Sequence, residues 1–312
     1  MPVILSRLKL QETDVQRIQE IAPAAQVIIA DKEPEAEAKA AEAEIILGGV
    51  TREMIRRAPG LKWIQVTFAG VDKILFPEIK ERRILLTNAR GMHGKTIAEH
   101  VFALVLAFTR RLPVVMDNQH YRRWNRIKVV EVNGKTMGIV GLGGIGQEIA
   151  RRAKAFELTV LGTKRNPVPL PDVDEVLAPE ELPSLLQRSD FVVVAVPLTR
   201  ETYHLIGQRE IGFMKKTAFL FNISRGAILD QAALVDALQW GRIAGAGLDV
   251  FEQEPLPEDS PLYNLSNVII TPHVAGTLED YKGHALSVFL ENLKRYHEGK
   301  PLQNLVDLEI GY

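Results

Sequence analysis

Three ionisable side chains in the last third of the chain have the chemistry of an acid–base site: Arg225, Glu254 and His273, spaced 29 and 19 residues apart. Each lies at or just past an apolar run with strand character. TAFLFNISRG (217–226) carries Arg225, GLDVFEQEP (247–255) carries Asp249 and Glu254, and VIITPHVAG (268–276) carries His273. Ligands of an open α/β sheet bind beyond the carboxyl ends of its strands. A guanidinium there offers a planar fork to a carboxylate or carbonyl. A carboxylate beside a histidine orients the ring and stabilises the imidazolium, a recurrent acid–base device. For Arg225 alone two readings stand, substrate binding and a structural cap or ion pair. Glu254 and His273 favour the first.

Upstream, GIVGLGGIGQEIARRAKAF (138–156) contains Gly141-x-Gly143-x-x-Gly146 between an apolar strand and a helical pattern. That context suits a dinucleotide. The first glycine permits the tight turn, the second a close approach to the pyrophosphate, and the third close helix–strand packing. About 20 residues on, an NAD site carries an acid for the ribose hydroxyls. This chain reads VLGTKRNP (160–167), with Thr163, Lys164 and Arg165 where the acid is expected. Arg165 or Lys164 could pair with a 2′-phosphate that a carboxylate would repel. The expectation is NADP(H) preference. A solvated basic turn with NAD(H) still used is the other reading.

These residues need a scaffold of alternating strands and helices. The first hundred residues give strands at Val3–Leu5, Val27–Ala30, Ile45–Leu47, Trp63–Thr67 and Ile84–Thr87, separated by helical patterns. A second series gives six strands: Met137–Val140, Leu158–Gly162, Phe191–Val196, Ala218–Asn222, Gly245–Asp249 and Val268–Ile270. Alternation of this kind predicts parallel sheets covered on both faces. A long helix is expected from Lys95 to about Arg111, and a final one over Thr277–His297 that stops at Glu298-Gly299-Lys300-Pro301. Residues 112–135 have weak periodicity and many cations, and read as an extended arm or loop, either a solvated connection or a packing arm. The tail, Leu302–Tyr312, is expected to pack on the first domain.

The chain has 312 residues, 46% of them apolar, enough for two domains with large cores. A net charge of −1 gives no electrostatic case for nucleic acid or an anionic membrane. The absence of cysteine excludes disulfides, thiolate nucleophiles and Cys-ligated zinc, and no metal site is expected. MPVILSRLKL lacks the pattern of a signal peptide, and the longest apolar run, VFALVLAF (101–108), is too short to span a bilayer. A cytoplasmic protein is expected.

In their order and spacing, VGLGGIG, NISRGAILD, GAGLDVFEQEP and TPHVAG resemble the D-isomer-specific 2-hydroxyacid dehydrogenase family, over essentially the whole chain. The resemblance implies an α/β protein of two doubly wound parallel-sheet domains. A flavodoxin-like substrate (catalytic) domain would comprise 1–98 plus 284–312, and a Rossmann dinucleotide-binding domain 99–283. It implies reduction of a small 2-oxo acid, of the glyoxylate or hydroxypyruvate type, to the D-2-hydroxy acid. His273 would be the general acid, Glu254 its partner, and Arg225 the group that binds substrate and polarises its carbonyl. Asp249 would lie near the nicotinamide carboxamide. Gly144, Ile145, Val196, Pro197, Thr202, Asn222, Ile223 and Gly276 would join the glycine motif and residues 163–165 around the coenzyme. Backbone N–H groups near Ala69 and Gly70, in TFAGVDKI (67–74), would hold the substrate carboxylate. Asn88, Arg90 and His93 could border the cleft. Trp124 matches a tryptophan common in the family, on an arm that packs in a homodimer and in some members reaches the partner's site. The dimer would form through the helix and arm at 95–135. His100, His120, His204 and His284 read as structural or surface groups. Two alternatives remain: a biosynthetic enzyme such as a 3-phosphoglycerate dehydrogenase, and a non-catalytic NAD(H)-sensing protein. The first usually carries an acid at the ribose site and extra regulatory domains.

Overall fold

The computed structural model describes residues 2–311; Met1 and Tyr312, the outer ends of the expected first domain, lie outside the described residues. The chain forms two compact units. One holds the residues up to Met92 and those from Leu278 onward, the other His93–Thr277. Both crossings fall six residues before the expected ones, at 92 against 98 and 277 against 283. The helices Gly94–Thr109 and Tyr281–His297 explain this, because each stays whole within one unit.

The first unit carries strands β1 (Val3–Ser6), β2 (Gln26–Ile29), β3 (Ile45–Leu47), β4 (Trp63–Gln65) and β5 (Leu85–Thr87). Their order is β2-β1-β3-β4-β5 and every neighbouring pair is parallel, the flavodoxin-like order. β3 and β4 are buried throughout, which is why they read as unbroken apolar runs. One apolar layer, with Leu5, Ile46, Met54 and Ile64, lies on one face; another, with Ile4, Ile18, Trp63 and Phe289, lies on the other. The C-terminal helix supplies part of the second layer: Phe289 stacks on Trp63 at 5.3 Å, and Lys282 pairs with Asp14 of helix Glu12–Ile21 at 2.7 Å. The tail does pack on this sheet, with Leu305 bridging Thr87 and Val306 buried.

The second unit has seven strands, not the six expected: β6 (Thr136–Val140), β7 (Thr159–Thr163), β8 (Glu175–Leu177), β9 (Phe191–Val194), β10 (Phe219–Asn222), β11 (Gly245–Leu248) and β12 (Val268–Ile270). The order is β12-β11-β10-β9-β6-β7-β8, all parallel. β8 is the unexpected strand. It has three residues, follows an acid- and proline-rich stretch, and pairs only with β7 at the sheet edge, so it has little apolar pattern to detect. Strand order reverses between β6 and β9, the switch point where a ligand crevice opens.

Residues 112–135 also differ from expectation. The segment Leu112–His120 is a helix, and none of its residues is buried. A helix with no core-facing side has no amphipathic signal to read. The chain from 123 to 132 then runs without regular structure, and Trp124 is 96% exposed.

Candidate active site

The glycine motif forms the turn from β6 into helix Gly144–Ala155. Gly141 has φ +105°, a conformation that glycine tolerates and other residues rarely adopt. A Cβ at Gly146 would collide with the Gly141 carbonyl, so only glycine lets the helix sit this close to the strand. Gly143 and Gly144 differ: a Cβ on either would have no protein atom within 4 Å. The helix start therefore keeps open space beside its backbone at these two glycines, and the first-turn N–H groups of a helix have no intrahelical partner, an arrangement that accepts phosphate oxygens. The residues present fit a dinucleotide pyrophosphate.

At the end of β7, Thr163 is buried and its hydroxyl accepts the Gly141 N–H at 3.1 Å, so it shapes the loop from behind. Lys164 donates to the Leu142 carbonyl at 3.2 Å, which draws its ammonium over the same loop. Arg165 lies next to it and is exposed. On the other side of the switch point, Val196 packs against Gly141, 2.7 Å from where a Cβ would stand. The Thr202 hydroxyl donates to the Pro197 carbonyl at 2.6 Å and accepts the Thr199 N–H at 2.7 Å, which rounds off the turn after β9.

Arg225 follows β10. Asn222, fully buried, organises the turn: its amide nitrogen donates to the Arg225 carbonyl at 2.9 Å, and its oxygen accepts the Ser224 N–H and hydroxyl at 3.2 and 3.1 Å. Ile223 is buried beneath it. The Arg225 guanidinium donates to the Ser224 carbonyl at 2.8 Å and is half-buried. Gly226 then packs so tightly on the Phe251 backbone that a Cβ would collide there. That contact sets the Arg225 turn beside the loop carrying Glu254.

His273 Nδ1 lies 2.8 Å from Glu254 Oε2, and Glu254 Oε1 accepts the Phe251 N–H at 3.1 Å. A carboxylate only accepts, so Nδ1 carries the proton and Nε2 is the ring atom left for a ligand. The His273 side chain is 49% exposed and that of Glu254 27%. His273 has φ +54°, the left-handed region, which a non-glycine residue keeps only where its surroundings hold it. Asp249, at the end of β11, supplies that hold. Its carbonyl accepts the His273 N–H at 2.8 Å. Its buried carboxylate accepts the Thr271 hydroxyl at 2.5 Å and the N–H groups of Val274 and Ala275, each at 2.9 Å.

Arg225, Glu254, His273 and Asp249 are thus brought to the carboxyl edge of adjacent strands β10, β11 and β12. Such a group can bind an anionic or carbonyl ligand and give it a proton. Gly276 accepts a bond from His93 Nδ1 at 2.8 Å. Ala69 and Gly70 lie in the first unit, in the turn after β4, where the Ala69 carbonyl accepts from Asn88 at 2.8 Å. The sequence reading left out Thr271 and took His100 as a structural or surface group; the two meet, with His100 Nε2 3.0 Å from the Thr271 hydroxyl oxygen. Thr271 sits beside a proline in a motif already singled out, but nothing in the sequence joins it to a histidine 171 residues away. Among the described residues no group of three His, Cys, Asp or Glu could hold a metal ion, and no helix is long and apolar enough to cross a membrane.

A family model described as the NAD-binding domain of D-isomer-specific 2-hydroxyacid dehydrogenases matches residues 102–275. The chain is similar to the glyoxylate reductase of Korarchaeum cryptofilum, with 40% identity over 84% of this chain and 80% of that one. It is 38% identical, over 83% of its length, to the D-3-phosphoglycerate dehydrogenase of Methanocaldococcus jannaschii, and covers 50% of that longer protein. The crystal structure of a D-isomer-specific 2-hydroxyacid dehydrogenase from Xanthobacter autotrophicus, solved with NADPH and MES, superposes with a TM-score of 0.87 at 30% identity, covering 100% of this chain and 99% of that one.

Proposed function

Since the chain belongs to the D-isomer-specific 2-hydroxyacid dehydrogenase family and is an NAD(P)-dependent dehydrogenase, we propose that it reduces a small 2-oxo acid of the glyoxylate or hydroxypyruvate type to the D-2-hydroxy acid. The 2.8 Å contact between His273 and Glu254, on the loop packed against the Arg225 turn, carries this reading. A bound nicotinamide supplies the hydride. His273 holds the proton for the carbonyl oxygen at Nε2, while Glu254 fixes the ring through Nδ1 and stabilises its charged form. Arg225 binds the 2-oxo acid and polarises its carbonyl, where alkoxide charge builds up. The turn at Ala69 and Gly70 is the candidate for the substrate carboxylate.

The coenzyme is held by Gly141, Gly143, Gly144, Ile145 and Gly146, with Val196, Pro197, Thr202, Asn222, Ile223 and Gly276 around it. NADP(H) is the preferred form and NAD(H) the alternative. No carboxylate stands at the end of β7, and Lys164 and Arg165 offer cations to a 2′-phosphate. The same reading places the enzyme in the cytoplasm as a homodimer. The exposed helix Leu112–His120, with Met116 68% exposed, and the arm bearing Trp124 offer the surface for the second copy.

A turnover panel tests this. NADPH and NADH oxidation is followed with glyoxylate, hydroxypyruvate, pyruvate and the phosphorylated oxo acid of 3-phosphoglycerate, with His273→Ala as control. Turnover of the small acids that vanishes in the variant supports the proposal. Selective use of the phosphorylated acid would shift the assignment to the biosynthetic reading. Coenzyme binding without turnover on any acid would shift it to a sensor.

A further inference from the structure

We propose that His100 is a positioning residue for the proposed general acid His273, acting through Thr271 and Asp249; this rests on the reductase reading above. His100 lies in helix Gly94–Thr109, with only 18% of its side chain exposed. Its Nε2 is 3.0 Å from Thr271 Oγ1 and 3.7 Å from Asp249 Oδ1. The Thr271 hydroxyl has one proton, and the 2.5 Å contact commits it to Asp249. Toward His100 the hydroxyl therefore accepts, and Nε2 of His100 is the donor.

The consequence is geometric. A threonine hydroxyl that donates one short bond is held more tightly in that rotamer when its lone pair is also engaged. The His100 N–H fixes the lone pair, so the O–H points at Asp249. Asp249 in turn receives the Val274 and Ala275 N–H groups on its carboxylate and the His273 N–H on its carbonyl. These three bonds hold the turn in which His273 adopts its left-handed φ of +54°. Without the donor on His100, the Thr271 hydroxyl is held by Asp249 alone, their contact loosens, and the strained His273 backbone is less tightly fixed. The ring then holds its contact with Glu254 less firmly.

The experiment compares wild type, His100→Leu, His100→Gln, Thr271→Val and the double variant His100→Leu/Thr271→Val. Gln places an amide N–H near the position of Nε2. Two readouts are taken: steady-state kinetics with glyoxylate, and NMR of the His273 Nδ1-bound proton, assigned by its loss in His273→Gln. His100→Leu is expected to lower kcat about ten- to a hundredfold, as small displacements of catalytic groups do. KM and coenzyme affinity should stay within about threefold of wild type, and the Nδ1-proton signal should broaden or vanish. His100→Gln should restore both. The double variant should be no worse than either single one, because both cut the same chain of contacts. An unchanged kcat and an intact signal in His100→Leu would overturn the proposal. So would multiplicative losses in the double variant, or a loss of coenzyme binding that accompanies the loss of kcat. If wild type reduces no 2-oxo acid, the reductase reading falls, and the Nδ1-proton signal alone decides the role of His100.

Discussion

Gly226 sits against the backbone of Phe251 with no room for a methyl group between them. Arg225 precedes the first residue, and Glu254 lies three beyond the second. Two of the three proposed catalytic residues are therefore registered by one backbone contact between the turns that follow β10 and β11. Gly226→Ala must push those turns apart. Overpacking of this kind costs about 1–3 kcal/mol. Because backbone rather than a pliable side chain is struck, activity should fall more than stability. Urea unfolding and kcat measured on the same preparation would check this; a variant with normal kcat would show that the registry is not used.

The carboxylate on His273 Nδ1 sets which ring nitrogen is free. His273→Ala should lower kcat by about 10²–10⁴, the usual contribution of a positioned acid or base. Glu254→Gln should lower it by less, because an amide can still accept at Nδ1 but carries no charge to stabilise imidazolium. Neither change touches the glycine loop, so coenzyme affinity measured by fluorescence titration should be unaltered in both.

The four glycines of the loop separate packing from ligand binding. Gly146→Ala meets the Gly141 carbonyl and should destabilise the unit by about 1–3 kcal/mol, even without coenzyme. Gly143→Ala meets nothing within 4 Å and its φ of −76° suits alanine, so its melting temperature should match wild type. Its new methyl stands where the pyrophosphate is proposed to approach, and dinucleotide affinity should drop about tenfold or more. Equal coenzyme affinity in Gly143→Ala and wild type would refute this placement of the phosphates.

On the proposed reading, coenzyme preference turns on the chain just past β7. Arg165→Asp puts a carboxylate where none stands now. It should weaken NADPH use by about tenfold or more, the scale of a lost hydrogen bond to a charged group, while sparing NADH. The ratio of kcat/KM for the two coenzymes reads this directly, and an unchanged ratio would leave Arg165 as a solvated surface group.

Tyr296 bears on stability at high pH. Burial, reinforced by Glu44, raises its pKa to about 12 from the ordinary 10.0. The folded state favours the neutral phenol, so its contribution is whole below about pH 10 and is lost as pH rises toward 12. Tyr296→Phe keeps the stacking on Trp63 and cannot ionise. The stability difference between wild type and variant should therefore narrow, or change sign in favour of the variant, between these pH values. Urea midpoints at about pH 9 and pH 11 measure it.

Most of the scaffold was legible because it is buried on both faces. β3, β4 and β9 are wholly buried, so their apolar runs are continuous. Where burial fails, the pattern fails with it: β8 is a short edge strand, and helix Leu112–His120 buries nothing. The placement of the candidate site residues was legible in the same way. Arg225, Glu254 and His273 each follow an apolar run, and the glycine motif follows another, so residue types and spacing alone put them at strand ends. Their mutual geometry was not. The pairing of His273 with Glu254, the contact of Gly226 with Phe251, and the convergence of His100, Thr271 and Asp249 all depend on β10, β11 and β12 lying side by side and on which helix covers them. Spacing along a chain carries no record of lateral neighbours in a parallel sheet, because each crossover can return its strand to either side; only the packed sheet decides which side chains meet.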